Sequence, residues 1–160
     1  MQGLQQKFGF VPNVAATMAE SPVLLNAFVG CFVNFQGSGF NDMEKQTLLL
    51  TNAVTMQSPW TIAFHSTMAL QAGVSQGDVR AIREGKPPKD AHLAALRELT
   101  KALIETKGRV SEAEIEKFLL VGYSKTCVLE VVAGLAISTM AATVGNLART
   151  PIEETLQMNA

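Results

Sequence analysis

Cysteine is scarce in this 160-residue chain, which has only Cys31 and Cys127. Both lie in apolar stretches, and neither has a partner at CxxC spacing. This excludes a disulfide framework and favours a reducing compartment, so we expect a cytoplasmic protein. The two histidines form no HxxxH pair and have no cysteine cluster near them. We therefore expect neither a metal site nor a cofactor.

Charge is also scarce, and neither sign dominates. Charged residues make up 17% of the sequence, with 13 Lys+Arg against 14 Asp+Glu. Because no basic stripe is available to neutralise a phosphate backbone, we expect no nucleic-acid binding. Soluble domains normally carry about 25% charged residues. The shortfall indicates that part of the surface is buried in a homo-oligomer.

Long hydrophobic runs are limited to residues 131–148, which carry no charge. This run contains several hydroxyl and amide side chains and has no Trp or Tyr at either end. Membrane spans usually have such aromatic residues at both interfaces. The run therefore predicts a buried or interfacial helix, and we expect no membrane association. Residues 1–7 are polar and do not form the apolar centre of a secretory signal.

Strand signals are missing, because no alternating run of β-branched residues is bounded by turns. Helix starts are frequent instead: capping residues or Ser-Pro pairs predict helices that begin near residues 22, 42, 59, 75, 90, 111 and 124. We predict an all-α fold, a single-domain orthogonal helical bundle of about seven to eight helices over residues 1–160. The polar tail, about 149–160, is expected to fray or to pack on a neighbouring subunit.

Small residues recur at three- and four-residue steps along the last helix. They are Gly134, Ser138, Ala141, Ala142 and Gly145. Such a stripe lets another helix backbone approach closely, either in the core or in a subunit interface.

The stretch 57–73 carries the most chemical information. Ser58, Thr61 and His65 follow at i, i+3 and i+7, which places them on one face at a helix start. The helix N-terminus stabilises negative charge, so a thiol at Ser58 or Thr61 would be activated there. Trp60, the single tryptophan, is expected to form a pocket wall.

This pattern resembles the alkylhydroperoxidase D-like group of the carboxymuconolactone decarboxylase family. In that group a helical Glu is followed twelve residues later by C-x-x-C-x-x-x-H at a helix start. Residues 69–85 match the next family stretch, A-x-x-A-G-V-S-x-x-x-V-x-A-I-x-x-G. Residues 8–13 (FGFVPN) and 146–153 (NLARTPIE) are similar to the ends of its peroxidase-related branch. The resemblance implies the alkylhydroperoxidase D-like fold and an oligomer, a dimer, trimer or hexamer.

The resemblance also assigns roles to four positions. The family's redox cysteines fall on Ser58 and Thr61, its histidine on His65, and its proton-relay glutamate on Gln46. A hydroxyl cannot follow the oxidation steps of a thiolate, and an amide cannot carry a proton. Glu44 lies about 200° around the helix from Gln46 and so faces away. The family's peroxidase (peroxiredoxin-type) antioxidant oxidoreductase activity is therefore expected to be negligible here.

Two alternatives to a peroxidase-like protein stay open. One is a cysteine-independent decarboxylase or lactone-type enzyme in which His65 acts as general acid or base on a small-molecule substrate. The nearest positive charges in sequence for a substrate carboxylate are Arg80, Arg83 and Lys86. The other is a non-catalytic oligomer that binds a small apolar ligand or a protein partner.

Each candidate residue also has a purely structural interpretation. Ser58 is expected to cap the helix that begins at Pro59, and Thr61 to bond locally or to His65. His65 is alternatively a core histidine, and His92 a solvated residue at another helix start.

Overall fold

The structure is a computed structural model and describes residues 9–159. Within this range every regular element is a helix, which confirms the predicted all-α class. The elements are α1 (Asn13–Met18), α2 (Pro22–Gln36), α3 (Asp42–Thr55), α4 (Pro59–Gln71), α5 (Gln76–Arg83), α6 (Ala91–Glu105), α7 (Glu112–Leu120), α8 (Lys125–Ala148) and a terminal 3-10 helix (Glu154–Asn159).

Helix starts follow the predicted capping residues. The side chain of Ser21 accepts from the Leu24 N–H at the start of α2, with Pro22 as the first helical residue. Asn41 and Ser111 each form a capping box, with Glu44 and Glu114 respectively. These side chains satisfy N–H groups that a helix N-terminus leaves without an intrahelical partner. Helix α1 was not predicted from the sequence, and its N-cap residue, Pro12, makes no side-chain capping bond.

Helix α3 lies at the centre and packs against α4, α5, α6 and α8. Its buried residues Leu48, Leu50 and Ala53 have no measurable exposure. The predicted small-residue stripe of α8 faces this core. A Cβ atom built on Gly134 would lie 2.6 Å from Leu48 Cδ2. Glycine at this position therefore allows α8 to approach α3 closely.

Among the described residues, α8 is the one helix long and apolar enough to cross a membrane by length and composition. It packs against α1, α2, α3 and α4, and 39% of its most apolar window is buried within the chain. This arrangement agrees with the predicted buried or interfacial helix. The outer face of α8 leaves Leu129 and Val132 exposed.

The polar tail does not fray and does not require a neighbouring subunit, contrary to the expectation from sequence. The terminal 3-10 helix packs against α4 of the same chain. Leu156 is buried there with 1% exposure, and Asn159 Nδ2 donates to Thr67 Oγ1 at 2.9 Å. Burial of Leu156 removes hydrocarbon from water, and the hydrogen bond of Asn159 adds to the attachment of the tail to α4.

Candidate functional site

A cavity of about 280 Å³ lies between α1, α2, α3, α4 and α8. Most of its wall is apolar and includes Phe28, Phe32, Leu49, Trp60, Phe64 and Ile137. A few polar side chains also line it, among them Gln46, His65, Lys45 and Asp42. An apolar cavity with a few polar groups is the usual form of a small-molecule site.

His65 is held by Gln46 at this cavity. Helix α4 presents the imidazole and α3 presents the amide, so that His65 Nδ1 lies 2.9 Å from Gln46 Oε1. Because the amide oxygen can only accept, Nδ1 donates, and the other ring nitrogen, Nε2, is left as an acceptor. Within residues 9–159, Nε2 has no hydrogen-bond partner.

The imidazole is neutral in the folded protein. His65 is only 8% exposed, and this burial lowers its pKa from about 6.5 to about 3, because the charged form loses its hydration. A neutral, oriented imidazole can accept a hydrogen bond or a proton at Nε2. It cannot offer a positive charge to a substrate at neutral pH.

Trp60 forms part of the cavity wall. Its ring stacks on Phe64 with centroids 5.0 Å apart, and Phe64 meets the His65 ring edge-on at 5.1 Å. The indole N–H donates to Glu153 Oε2 at 2.8 Å. The second oxygen of Glu153 accepts from the backbone N–H of Asn13 at 2.6 Å. The tail thus fixes both Trp60 and the start of α1, a link that local sequence patterns do not show.

Ser58 and Thr61 lie apart from this cavity. Both are fully buried, and their hydroxyl oxygens are 2.6 Å apart. Ser58 Oγ also lies 3.5 Å from the carbonyl oxygen of Ala142, to which it donates. Neither residue belongs to the cavity wall. The structure therefore brings together His65 and Gln46 on the cavity, and Ser58 and Thr61 with each other.

The expected capping role of Ser58 is wrong. Ser58 occupies the N-cap position of α4, but its side chain accepts no N–H from that helix. Its hydroxyl is instead held by Thr61 and Ala142. The short bond to Thr61, together with the longer contact to α8, takes the place of a capping bond to the backbone. Thr61 forms a local hydrogen bond with Ser58, which was one of the two predictions for this residue, the other being a bond to His65.

The positive charge nearest the site is Lys45, which was not among the residues predicted from the sequence. Lys45 is 8% exposed and lines the cavity. Arg80 and Arg83 line a separate depression near Asn159, and Lys86 pairs with Glu84 at 2.8 Å. The signal available in the sequence was the position of Lys45, one residue before Gln46 and four before Leu49, which is a wall residue.

Glu44 and His92 form a structural contact on another face of α3. Glu44 Oε1 lies 2.9 Å from His92 Nε2, and Glu44 Oε2 accepts from the backbone N–H of Asn41. His92 also stacks on Tyr123 at a centroid distance of 3.9 Å. The His92 side chain is 41% exposed, so it is partly solvated as expected, and it also makes these contacts. Glu44 faces away from Gln46, as predicted.

Both cysteines are free. Cys127 is buried near the start of α8 and accepts from Ser124 Oγ, while Cys31 is half-buried on α2. Neither lies on the cavity wall. Among the residues that the structure describes, no group of three or more His, Cys, Asp or Glu side chains is placed to hold a metal.

Comparison with solved structures defines the class of fold. The chain superposes on an alkylhydroperoxidase AhpD core, an uncharacterized peroxidase-related protein from Ralstonia eutropha JMP134, with a TM-score of 0.87, 17% identity and coverage of 97% of this chain and 84% of that one. A peroxidase-related protein from Silicibacter sp. TM1040 gives 0.84 at 16% identity, covering 97% and 83%.

A third similar structure is the debrominase Bmp8, with a TM-score of 0.82, 19% identity and coverage of 99% of this chain and 86% of that one. A cysteine-to-alanine variant of Bmp8 has been crystallised with 2,3,4-tribromopyrrole. No protein-family model and no curated protein matches the sequence. The chain therefore has the alkylhydroperoxidase AhpD-core fold, as the resemblance predicted.

Proposed function

We propose that this chain binds a small, largely apolar molecule in the His65 cavity and does not reduce hydroperoxides through thiols. The main support is the hydrogen bond between His65 and Gln46 on an apolar cavity wall. It leaves Nε2 of the neutral imidazole free to accept a hydrogen bond from a ligand. We also infer membership of the alkylhydroperoxidase D-like group of the carboxymuconolactone decarboxylase family, on the fold together with the motifs of residues 46–85.

The residues at the two family cysteine positions do not support thiol chemistry. The two positions that carry sulfur in the family are hydroxyls here, and these hydroxyls are fully buried and bonded to each other. Cys31 and Cys127 lie off the cavity. The hydroxyls of Ser58 and Thr61 do not ionise to alkoxides at neutral pH. They also cannot be oxidised to a counterpart of a sulfenic acid. We therefore expect negligible turnover of an organic hydroperoxide with a dithiol reductant, unchanged by Cys31→Ser or Cys127→Ser.

The binding proposal is tested by the fluorescence of Trp60, the single tryptophan and a wall residue. We expect 4-bromophenol and 2,3,4-tribromopyrrole to quench it saturably, because a halogenated ring in the cavity contacts the Trp60–Phe64 stack. Ala141→Leu fills the cavity from α8 and should abolish the response. Ala113→Leu, on the exposed surface of α7, is the matched control. The absence of saturable quenching in the wild type overturns the proposal.

A second candidate function is acid–base catalysis on the bound molecule. It is favoured by the orientation of His65, whose Nδ1 donates to Gln46 and leaves Nε2 unprotonated, as a general base requires. The lowered pKa of His65 makes this nitrogen a weak base, so we expect a modest acceleration. We expect the wild type to accelerate deuterium exchange at an acidic C–H of a bound carbonyl compound, measured by NMR. His65→Gln should bind the same compound without this acceleration. Equal exchange rates with the two proteins would remove this candidate.

We further propose that the chain is a cytoplasmic homo-oligomer. Both cysteines are free, as expected in a reducing compartment. Leu129, Val132, Ala133 and Ala136 are exposed along one face of α8, at the three- and four-residue spacing of a helical stripe. A second copy of the chain is the occupant that the low charge content favours.

A further inference from the structure

The burial of Lys45 is not explained by helix α3 itself. Lys45 is the fourth residue of α3, close to the helix N-terminus, where the aligned peptide dipoles disfavour a positive charge. Its side chain is nevertheless 11% exposed and forms part of the cavity wall. If Lys45 only stabilised helix α3, its ammonium group would extend into water.

The ammonium group also lacks a buried counter-ion within the described part of the chain. Lys45 Nζ donates one hydrogen bond, to the carbonyl oxygen of Gln36 at 3.0 Å. The nearest carboxylate, Asp42, is 3.9 Å away, beyond hydrogen-bonding distance, and its side chain is 83% exposed. An ammonium group has three N–H donors, and a buried charge is costly unless it is paired and hydrogen-bonded. Lys45 therefore has donors and charge to offer to a bound molecule.

Among the described residues that line the cavity, Lys45 alone supplies a positive charge. Arginine is absent from the wall, and His65 is neutral. The rest of the wall is mostly aromatic and aliphatic, and the volume of about 280 Å³ lies at the small end of ligand cavities. The wall also carries the Asp42 carboxylate, but that side chain is 83% exposed whereas that of Lys45 is 11% exposed. One negative charge on a small apolar body is therefore the ligand that matches the buried part of this wall.

We propose that the ligand of this cavity is a small apolar carboxylic acid, whose carboxylate pairs with the Lys45 ammonium while its hydrocarbon or aromatic body fills the space beside Trp60. This inference rests on the proposed binding function and specifies its ligand class. Lys45 acts as the charge anchor, and His65 Nε2 accepts from a hydroxyl or N–H group where the ligand carries one.

Benzoate and benzamide provide the test, because they share a shape and differ in charge. We expect saturation-transfer NMR and Trp60 fluorescence to show that the wild type prefers benzoate by about tenfold or more. Lys45→Met should remove this preference, because it should weaken benzoate binding far more than benzamide binding. Lys45→Arg should retain the preference. Asp42→Asn removes a negative charge that would repel the benzoate carboxylate, so it should tighten benzoate binding.

The outcomes separate this inference from the proposed function. Equal binding of benzoate and benzamide by the wild type, with both lost in Ala141→Leu, overturns the charge anchor but leaves the cavity as a ligand site. A preference for benzoate that persists in Lys45→Met also overturns it. Failure of these compounds and of the halogenated probes to bind overturns both proposals. The wild-type comparison and Lys45→Arg decide the question even if Lys45→Met does not fold.

Discussion

At the residue scale, the neutral state of His65 connects the site to stability. Burial lowers its pKa to about 3, whereas an unfolded chain has the ordinary value of about 6.5. Between these values the unfolded state binds the proton and the folded state does not, so stability falls as the pH drops from about 6.5 towards 3. The slope from this group approaches about 1.4 kcal/mol per pH unit.

This dependence is measured by urea denaturation of the wild type and His65→Gln at about pH 7 and about pH 5. Glutamine does not titrate, so the variant lacks the His65 contribution while the carboxylates are common to both proteins. We expect the stability advantage of the wild type over the variant to shrink on acidification. A difference that stays constant between the two pH values would show that His65 is solvated or charged in the folded protein.

A charged side chain at position 46 should shift the pKa of His65. Gln46→Glu places a carboxylate beside His65 Nδ1, which stabilises the imidazolium and should raise the pKa of His65 by about one unit or more. An NMR titration of the His65 ring protons measures this change. Gln46→Leu is the control, because it removes the hydrogen bond without adding a charge and should leave His65 neutral. An unchanged His65 titration in Gln46→Glu would contradict the observed pairing.

At the scale of the elements, glycine contributes differently to α2 and α8. A Cβ on Gly134 of α8 would meet Leu48 Cδ2 at 2.6 Å and Phe35 Cζ at 3.0 Å, both in the buried core. Gly30 of α2 has nothing within 4 Å of the corresponding position. Alanine gains about 1 kcal/mol over glycine in a helix interior, whereas overpacking a core costs about 1–3 kcal/mol.

We therefore expect Gly30→Ala to stabilise the protein by up to about 1 kcal/mol and Gly134→Ala to destabilise it by about 1 kcal/mol. Thermal and urea denaturation of the two variants measure both changes. The same chemical change in two helices separates intrinsic helix propensity from packing. If Gly134→Ala were as stabilising as Gly30→Ala, then α8 would not approach Leu48 as closely as the structure shows.

The elements also show what a sequence can predict. Caps such as Asn41 and Ser111 act within one helical turn, so the starts of α3 and α7 were predictable from neighbouring residues. The family motif selected Gln46 and His65, but the hydrogen bond between them is seen only in the structure. The burial of Lys45 and the bond from Trp60 to Glu153 were not predictable, because they depend on how α2 and the tail pack against distant parts of the chain.

Ser58 illustrates the same limit within the site. A Ser-Pro pair predicts a capped helix start, and α2 follows that rule through Ser21. At α4 the identical pair meets α8, where Gly145 leaves room for the Ser58 hydroxyl, at 3.3 Å from the position of an added Cβ. The hydroxyl turns to Thr61 and Ala142 instead. The sequence alone does not show whether Ser58 bonds to the α4 backbone as a cap or to the Thr61 hydroxyl. The packing of α4 against α8 determines which bond forms.

At the scale of the whole molecule, the outer face of α8 predicts self-association. Leu129 is 73% exposed and Val132 is 52% exposed on a helix whose other side forms the core. Leaving this stripe in water is unfavourable, and covering it with a second copy removes the cost. Light scattering coupled to gel filtration should give a mass at least twice that of the 17.2 kDa chain.

The double variant Leu129→Glu/Val132→Glu places two charges in this stripe and should shift the protein towards a monomer that keeps its helical circular-dichroism spectrum. Leu120→Glu is the control, because Leu120 is 84% exposed at the end of α7 and lies outside the stripe. It should leave the mass unchanged. A wild-type mass of one chain, or a double variant that remains oligomeric, would show that α8 is not the surface that joins the subunits.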